Sequence, residues 1–154
     1  MPTVVVPSTE RIVAAWLATI PGITPAMVAT SLPTDTGTWA STGFLTVEPV
    51  GGIPGIDVPV RQPLVQVNAW AVKPGAQRPP WGLSDSLMET VVRACVGQMV
   101  GRRVDVTLSV GNPPSTATAR VLSVWAVSEP RRLWSDDSSY AHRSVDIRCS
   151  WVAS

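Results

Sequence analysis

Three stretches of this chain alternate apolar and polar residues with a period of two. Val65, Val67, Ala69 and Ala71 interleave with Gln66, Asn68 and Trp70. Val104, Val106, Leu108 and Val110 interleave with Asp105, Thr107 and Ser109. Val145, Ile147, Cys149 and Trp151 interleave with Asp146, Arg148 and Ser150. Successive side chains of a strand point to opposite faces, so each stretch reads as a strand with one face toward a core. Residues 44–50 and 118–128 read as two further strands, and Gly111-Asn112-Pro113-Pro114 as a turn. Residues 129–140 are polar and turn-rich.

Helical spacing occurs twice. Ile12, Val13, Trp16, Leu17 and Ile20 recur at three and four residues, which predicts a helix over 9–20 stopped by Pro21-Gly22. One further turn is expected at 24–29, followed by a loop over 33–42. The second helix is predicted at about 84–100. Leu87, Met88, Val91, Cys95 and Met99 form its core stripe, and Asp85, Ser86, Glu89, Thr90, Arg93 and Gly97 its polar face. Two helices against five or six strands in hairpin-like order give an α+β fold, a mainly antiparallel β-sheet packed against two α-helices. A chain of 154 residues is expected to form a single domain over 1–154.

Between two of the strands lies a segment that fits neither pattern. Residues 51–62 contain three glycines and two prolines, yet carry Ile53, Ile56, Val58 and Val60. The segment, at about 50–63, reads as a long β-hairpin connection or arm whose apolar residues need a partner.

Little in the sequence points to catalysis. His142 is the sole histidine, so a metal site of several imidazoles is excluded. Its neighbours Asp136, Asp137 and Asp146 suggest an acid–base pair, but carboxylates in Ser-rich turns ordinarily cap backbone groups. Gly51-Gly52-Ile53-Pro54-Gly55 lacks the lysine of a phosphate loop, and no Gly-x-Ser-x-Gly elbow exists. Cys95 and Cys149 read as buried free thiols. No cofactor and no metal is expected, and the chain is not read as an enzyme.

Charge sharpens the partner classes. Twelve basic and eleven acidic residues leave a net charge of +1, too little for strong phosphate binding. Arg102-Arg103 and Arg131-Arg132 read as solvated turns. The first residues, Met1-Pro2-Thr3-Val4-Val5-Val6-Pro7, lack the basic start of a signal peptide. No stretch approaches the roughly 18 apolar residues of a membrane span, so no membrane partner and a cytosolic site of synthesis are expected. Seven of the nine aromatic residues are tryptophan. Trp16 and Trp151 fall on predicted core faces. Trp39, Trp81 and Trp134 fall in predicted loops, where one small subunit buries them with difficulty. They are candidates for an intermolecular interface, together with Ile53, Ile56, Val58 and Arg61 of the arm.

Several segments, taken in order, resemble a known family. They are Ile12-Val13-Ala14-Ala15-Trp16-Leu17 leading to Ile20-Pro21-Gly22-Ile23, then Ser31-Leu32-Pro33, Phe44-Leu45-Thr46-Val47 and Val50-Gly51-Gly52-Ile53-Pro54. Val60-Arg61-Gln62-Pro63-Leu64-Val65-Gln66-Val67-Asn68-Ala69-Trp70-Ala71 and the second helix follow. Glu129-Pro130-Arg131-Arg132-Leu133-Trp134-Ser135-Asp136-Asp137 and Arg143-Ser144-Val145-Asp146-Ile147-Arg148 close the series. This order is similar to the tail terminator (tail completion) proteins of long-tailed, siphovirus-type bacteriophages, especially those infecting actinobacteria. Residues 104–110 look like a strand added to that pattern. The resemblance implies a virion structural protein of the tail neck, assembled in the host cytoplasm, with neither catalysis nor cofactor. Its copies would form a homo-oligomeric ring, expected as a hexamer, on the head-proximal end of the tail tube. The ring would stop tube polymerisation and offer a surface to the head–tail connector protein. DNA would pass through the lumen without sequence-specific binding. Two other readings stand beside it: a head-side connector or neck (head completion) protein of the same virion, and a carbohydrate-binding module using Trp39, Trp81 or Trp134 as platforms.

Overall fold

The alternating segments all enter one sheet. The computed structural model describes residues 7–52, 60–96, 104–133 and 139–153. Seven strands are present among them: β1 (Val28–Ala29), β2 (Phe44–Gly51), β3 (Leu64–Val72), β4 (Val104–Val110), β5 (Ser115–Ala126), β6 (Arg131–Leu133) and β7 (Tyr140–Ala153). The sheet order is β1-β2-β3-β7-β5-β4, with β6 also paired to β7. Every pairing is antiparallel except β1 with β2, where Val28 lies opposite Leu45. The fold is α+β, as the hydrophobic periods predict.

The last strand is longer than its alternation suggests and organises the rest. One edge of β7 takes β3, from Leu64 opposite Arg148 to Val72 opposite Tyr140. Its other edge takes β5 and then β6, with Ala126 opposite Ile147 and Arg131 opposite Ser144. The partner chain advances five residues while β7 advances three, so residues 127–130 bulge outward. Ser128 Oγ accepts the Asp146 N–H at 3.1 Å and ties that bulge down. Residues 131–133 were expected in a turn. They form a strand because the pairing of β5 stops at Ile147 and leaves the β7 edge open, where Arg131 lies opposite Ser144 and Leu133 opposite His142. Arg131 also reaches Asp146 at 3.5 Å, and Arg132 reaches Asp85 at 3.5 Å.

Helix α1 spans Thr9–Leu17. It begins where Ser8 is extended and the Ser8 carbonyl accepts the Ile12 N–H at 3.1 Å. The predicted end at Ile20 is a tightened turn instead, in which the Thr19 and Ile20 N–H groups bond to Trp16 and Leu17 carbonyls. Gly22, at φ +92°, then reverses the chain. The turn expected at 24–29 splits into a 3₁₀ turn at Pro25–Met27 and strand β1. Helix α2 spans Trp81–Cys95 and starts three residues earlier than predicted, directly after Pro79-Pro80. Its buried residues include Leu87, Met88, Val91 and Cys95, the predicted stripe. Ser84 is also buried, and its hydroxyl donates to the Ala69 carbonyl at 3.0 Å, docking the helix on β3. Met99 and Gly97 lie outside the described residues.

Both helices share one core. Trp16, Leu17, Leu45, Met88, Ile147 and Trp151 are all essentially inaccessible there. Each large apolar side chain so buried contributes roughly 1.5–3 kcal/mol relative to exposure. Helix α2 lies on β3, β7 and β5, the middle of the sheet, whereas α1 touches both β2 and β4. Those two strands stand near opposite ends of the order, so the sheet curls until its ends meet α1.

Cys95 and Cys149 are free and buried in this core. Burial pushes both thiols up to about 12, with the Cys95 thiol adding to the effect on Cys149. Since the thiolate is the reactive form, neither should react with an aromatic disulfide reagent in the folded protein. Two thiols per chain should appear together on unfolding, with the release followed by absorbance. Reaction of either at neutral pH before unfolding would contradict this burial.

Candidate functional site

A curled sheet that does not close leaves a free edge at each end of its order, and β6, paired only to β7, leaves another. Among the described residues, β1 pairs only with β2, and β4 only with β5. The far side of each strand therefore carries backbone N–H and C=O groups without a ladder partner, a template for another strand. Because both ends reach α1, these edges flank one groove of about 570 Å³. That volume falls in the roughly 300–1,000 Å³ range of ligand clefts. Helix α1 provides its floor through Ala14, Ala15 and Ala18. Val28 and Ala29 form one wall, and residues 105–108 the other. Small side chains on the floor let a backbone approach closely.

Two charges sit at the groove, in different situations. Asp105 lies opposite Arg120 on β5, and the Arg120 Nε donates to Asp105 Oδ1 at 2.8 Å. That hydrogen bond holds the Asp105 carboxyl below the usual carboxylate range, with the charge attraction adding to it. Arg11 has no acidic partner among the described residues. Its Nη2 donates instead to the Ser109 carbonyl on the β4 edge, at 2.5 Å.

The base of the arm is firmly set. β2 and β3 pair antiparallel down to Gly51 opposite Leu64, so the arm joins two sheet neighbours, as a hairpin would. Arg61 continues β3's line along β7 in the same register. Its N–H donates to the Trp151 carbonyl at 2.8 Å, and its carbonyl accepts the Trp151 N–H at 2.9 Å. The Arg61 guanidinium lies 5.4 Å from the Trp151 ring centroid, within reach of the attraction between a cation and an aromatic face. Gly52, at φ +112°, passes so near the chain that a Cβ there would lie 3.0 Å from Pro63 Cα. Any other residue would push the two arm ends apart. Ile53, Ile56 and Val58, the apolar residues predicted for the interface, lie outside the described residues.

The loop tryptophans divide. Trp39 is 1 % exposed, which corrects the expectation that one subunit would not bury it. The 33–42 loop folds over the sheet and seats the indole against Phe44 and Tyr140, at 6.0 and 6.4 Å between ring centroids. Its Nε1 donates to the Pro33 carbonyl at 3.4 Å. Local sequence shows a loop there but not the pocket beneath it, which three distant strands supply. A buried ring is no sugar platform and no interface residue. Trp81 opens α2 half-buried, with the Arg132 guanidinium 4.5 Å from its centroid. One face of that ring is thus covered within the subunit. Trp134, Asp136, Asp137 and the Arg102-Arg103 pair lie outside the described residues.

His142 belongs to a polar layer rather than to an acid–base pair. Its ring stacks on Trp70 at 3.7 Å between centroids, and its Nε2 lies 2.8 Å from Asn68 Oδ1. Asn68 Oδ1 also accepts from Gln66 Nε2, while Trp70 Nε1 donates to Thr46 Oγ1 at 2.9 Å. Asp146, its suggested partner, pairs with Arg131 instead. Burial, with Arg131 adding to it, pushes the imidazole down to about 4. The folded protein therefore binds fewer protons than the unfolded chain between about pH 4 and 6.5. This contribution to stability is complete above about pH 6.5 and is lost as pH falls toward 4. The melting temperature should drop between about pH 7 and 5, and His142→Gln should flatten that drop. An identical pH profile for the variant would rule His142 out as its source.

The groove residues were not singled out by sequence reasoning. Arg11, Ala14, Ala15 and Ala18 follow one another at three- and four-residue spacing, a second face of α1 beside its core stripe. That signal was present, but nothing in the chain order says which strands flank it. Among the described residues there is no group of three or more His, Cys, Asp or Glu side chains placed to hold a metal ion, and no helix is long and apolar enough to cross a membrane. No protein-family model matches the chain, and no curated protein matches it.

Proposed function

We propose that this chain is a structural subunit of a bacteriophage tail, a ring-forming tail terminator that caps the head-proximal end of the tail tube. The observation that carries the reading is the apolar groove between the β1 and β4 edges, whose unpaired backbone groups offer a second polypeptide a place to pair. A contact in which one part of a subunit meets a different part of the next generates a ring when its rotation closes. An arm and open strand edges on one small domain are the elements such a contact needs. The order of segments along the chain supports the same assignment, and a net charge of +1 suits a conduit that lets DNA pass without gripping it.

In this role the ring binds the tube end through one face and the head–tail connector protein through the other. Negative-stain imaging of the purified protein, alone and mixed with tail tubes, tests the proposal. Rings that bind one end of the tube and block its elongation are expected. A persistent monomer that leaves tube growth unchanged would overturn it. Labelling on tails lacking heads separates this role from that of a head-side connector, because a terminator stays with headless tails.

A further inference from the structure

We propose that the groove between β1 and β4 takes up a strand from a different protein, laid antiparallel on β4. Taken from its N-terminus, that strand carries an acidic residue and then two apolar ones, each two positions further on. The proposal rests on the reading that this groove seats a second polypeptide, and it states what that polypeptide must carry.

The direction follows from the pairings. β1 and β2 run parallel, and every step from β2 through β3, β7 and β5 to β4 is antiparallel. β1 and β4 therefore point the same way. A strand antiparallel to one wall is antiparallel to the other, so a single direction suits both.

The free groups of β4 can be named. The Ser109 carbonyl accepts the Arg11 guanidinium from the groove, so it faces away from β5. In an antiparallel pair, residues bonded to the neighbour alternate with residues turned outward. Asp105 and Thr107, which share that alternation with Ser109, thus offer their N–H and C=O groups to the groove. Their side chains are exposed, whereas Val106 is buried and Leu108 half-buried against the core. An added strand needs N–H groups opposite Asp105 and Thr107 to continue the ladder. Its residues opposite Val106 and Leu108 turn inward over Ala14, Ala15 and Ala18, whose small side chains leave room for large apolar ones.

Charge sets the remaining position. Arg11 stands on the floor helix at the Ser109 end, without an acidic partner among the described residues. The other groove charge, Asp105, is already held by Arg120 at 2.8 Å. A carboxylate that meets Arg11 belongs on the inward side of the added strand, beyond Leu108. Antiparallel pairing puts that end first in the strand's sequence. The carboxylate would draw Arg11 off the Ser109 carbonyl and free that oxygen for the ladder. This chain does not supply such a strand. Its sole run of acid, any residue, apolar, any residue, apolar starts at Glu10, and that run is part of α1. The occupant is therefore foreign.

Fluorescence anisotropy with short labelled peptides tests this, with melting curves showing that each protein variant is folded. Asp-Thr-Val-Thr-Val-Thr should bind saturably to the purified chain. Lys-Thr-Val-Thr-Val-Thr should bind roughly two- to fivefold more weakly, the scale of an exposed ion pair. Arg11 is exposed, so Arg11→Glu should keep the fold and reverse that order, and Arg11→Gln should make the two peptides equal. Asp-Thr-Val-Pro-Val-Thr lacks the N–H that faces Thr107 and should bind about tenfold more weakly than its threonine parent. No saturable binding of the first peptide, or an order that ignores Arg11, would overturn the site. A proline peptide that binds as well as its parent would overturn strand addition. A peptide held by the monomer but excluded from assembled rings would put a second copy in the groove and overturn the foreign strand. Ring formation is imaged separately, so failure of the peptide leaves the ring reading standing. Monomers that bind the peptide and never form rings would keep the groove and remove the ring.

Discussion

Trp16→Ala should lower the unfolding free energy by about 3–5 kcal/mol, the range for truncating a large buried aromatic. Trp16 is 1 % exposed and sits in the common core with Leu45, Met88, Ile147 and Trp151. Helix α1 is only nine residues long and has no side-chain cap, so it cannot stand by itself. What holds it is this apolar stripe, and Trp16 is the largest member. The loss has a second consequence. α1 is the element that touches both ends of the sheet, so loosening it should also splay the groove. Chemical denaturation should show a lower midpoint with an unchanged slope. Because about 1 kcal/mol moves the melting point of a protein this size by roughly 2–4 °C, the melting temperature should fall by about 10 °C. A loss under about 1 kcal/mol would mean that the indole is not packed as described.

Trp39→Ala should cost about 3 kcal/mol, at the low end of the same range because its cluster is smaller. The indole rests on Phe44, Val72 and Tyr140 and fills the space beneath its own loop. Removing it leaves a cavity that the loop cannot close without breaking the caps around it, among them the Gly37 N–H bond to Asp35 Oδ1 at 3.1 Å. This result separates two roles. A packing tryptophan lowers the melting point of the isolated chain and leaves the subunit number of an assembly unchanged. An interface tryptophan would do the reverse. Calorimetry and mass measurement in solution read the two effects independently.

Tryptophan 39 also shows how far local sequence reaches. Its neighbours in the chain are threonine, serine, glycine and one alanine, so the segment reads as a loop, and that much is right. Whether a loop residue is buried depends on what lies under the loop, and here that is the ends of β2, β3 and β7. The Arg131-Arg132 pair teaches the same thing from the polar side. The two arginines read as a solvated turn, and both stay exposed, but they stand in β6 and reach Asp146 and Asp85, which other elements bring within 3.5 Å. Asp85 also holds Arg143 at 2.8 Å, so one carboxylate joins α2 to both β6 and β7.

Asn68 carries a related lesson within a strand. Its polar face was legible from the alternation with Val67 and Ala69. Its burial was not, because 1 % exposure on that face comes from the stacked Trp70 and His142 rings and the hydrogen bonds beside them. Trp70 and His142 stand opposite each other in the pairing of β3 with β7. That register belongs to the sheet, not to either strand.

By itself, the sequence determined which residues turn inward: Val65 and Val67, Val106, Ile147 and Trp151 on strands, Ile12, Trp16 and Met88 on helices. It also determined the α+β class and the place of the arm between two sheet neighbours. Periodicity is a local property, set by two residues per strand repeat and 3.6 per helical turn, so it survives in one dimension. The tertiary structure alone decided that β7 would be the centre and β4 an end, and that the sheet would curl until β1 and β4 met α1. A period of two says which face of a strand is buried and nothing about which strand lies beside it. The groove exists only because two edges distant in sequence are near in space, and that is a property of strand order.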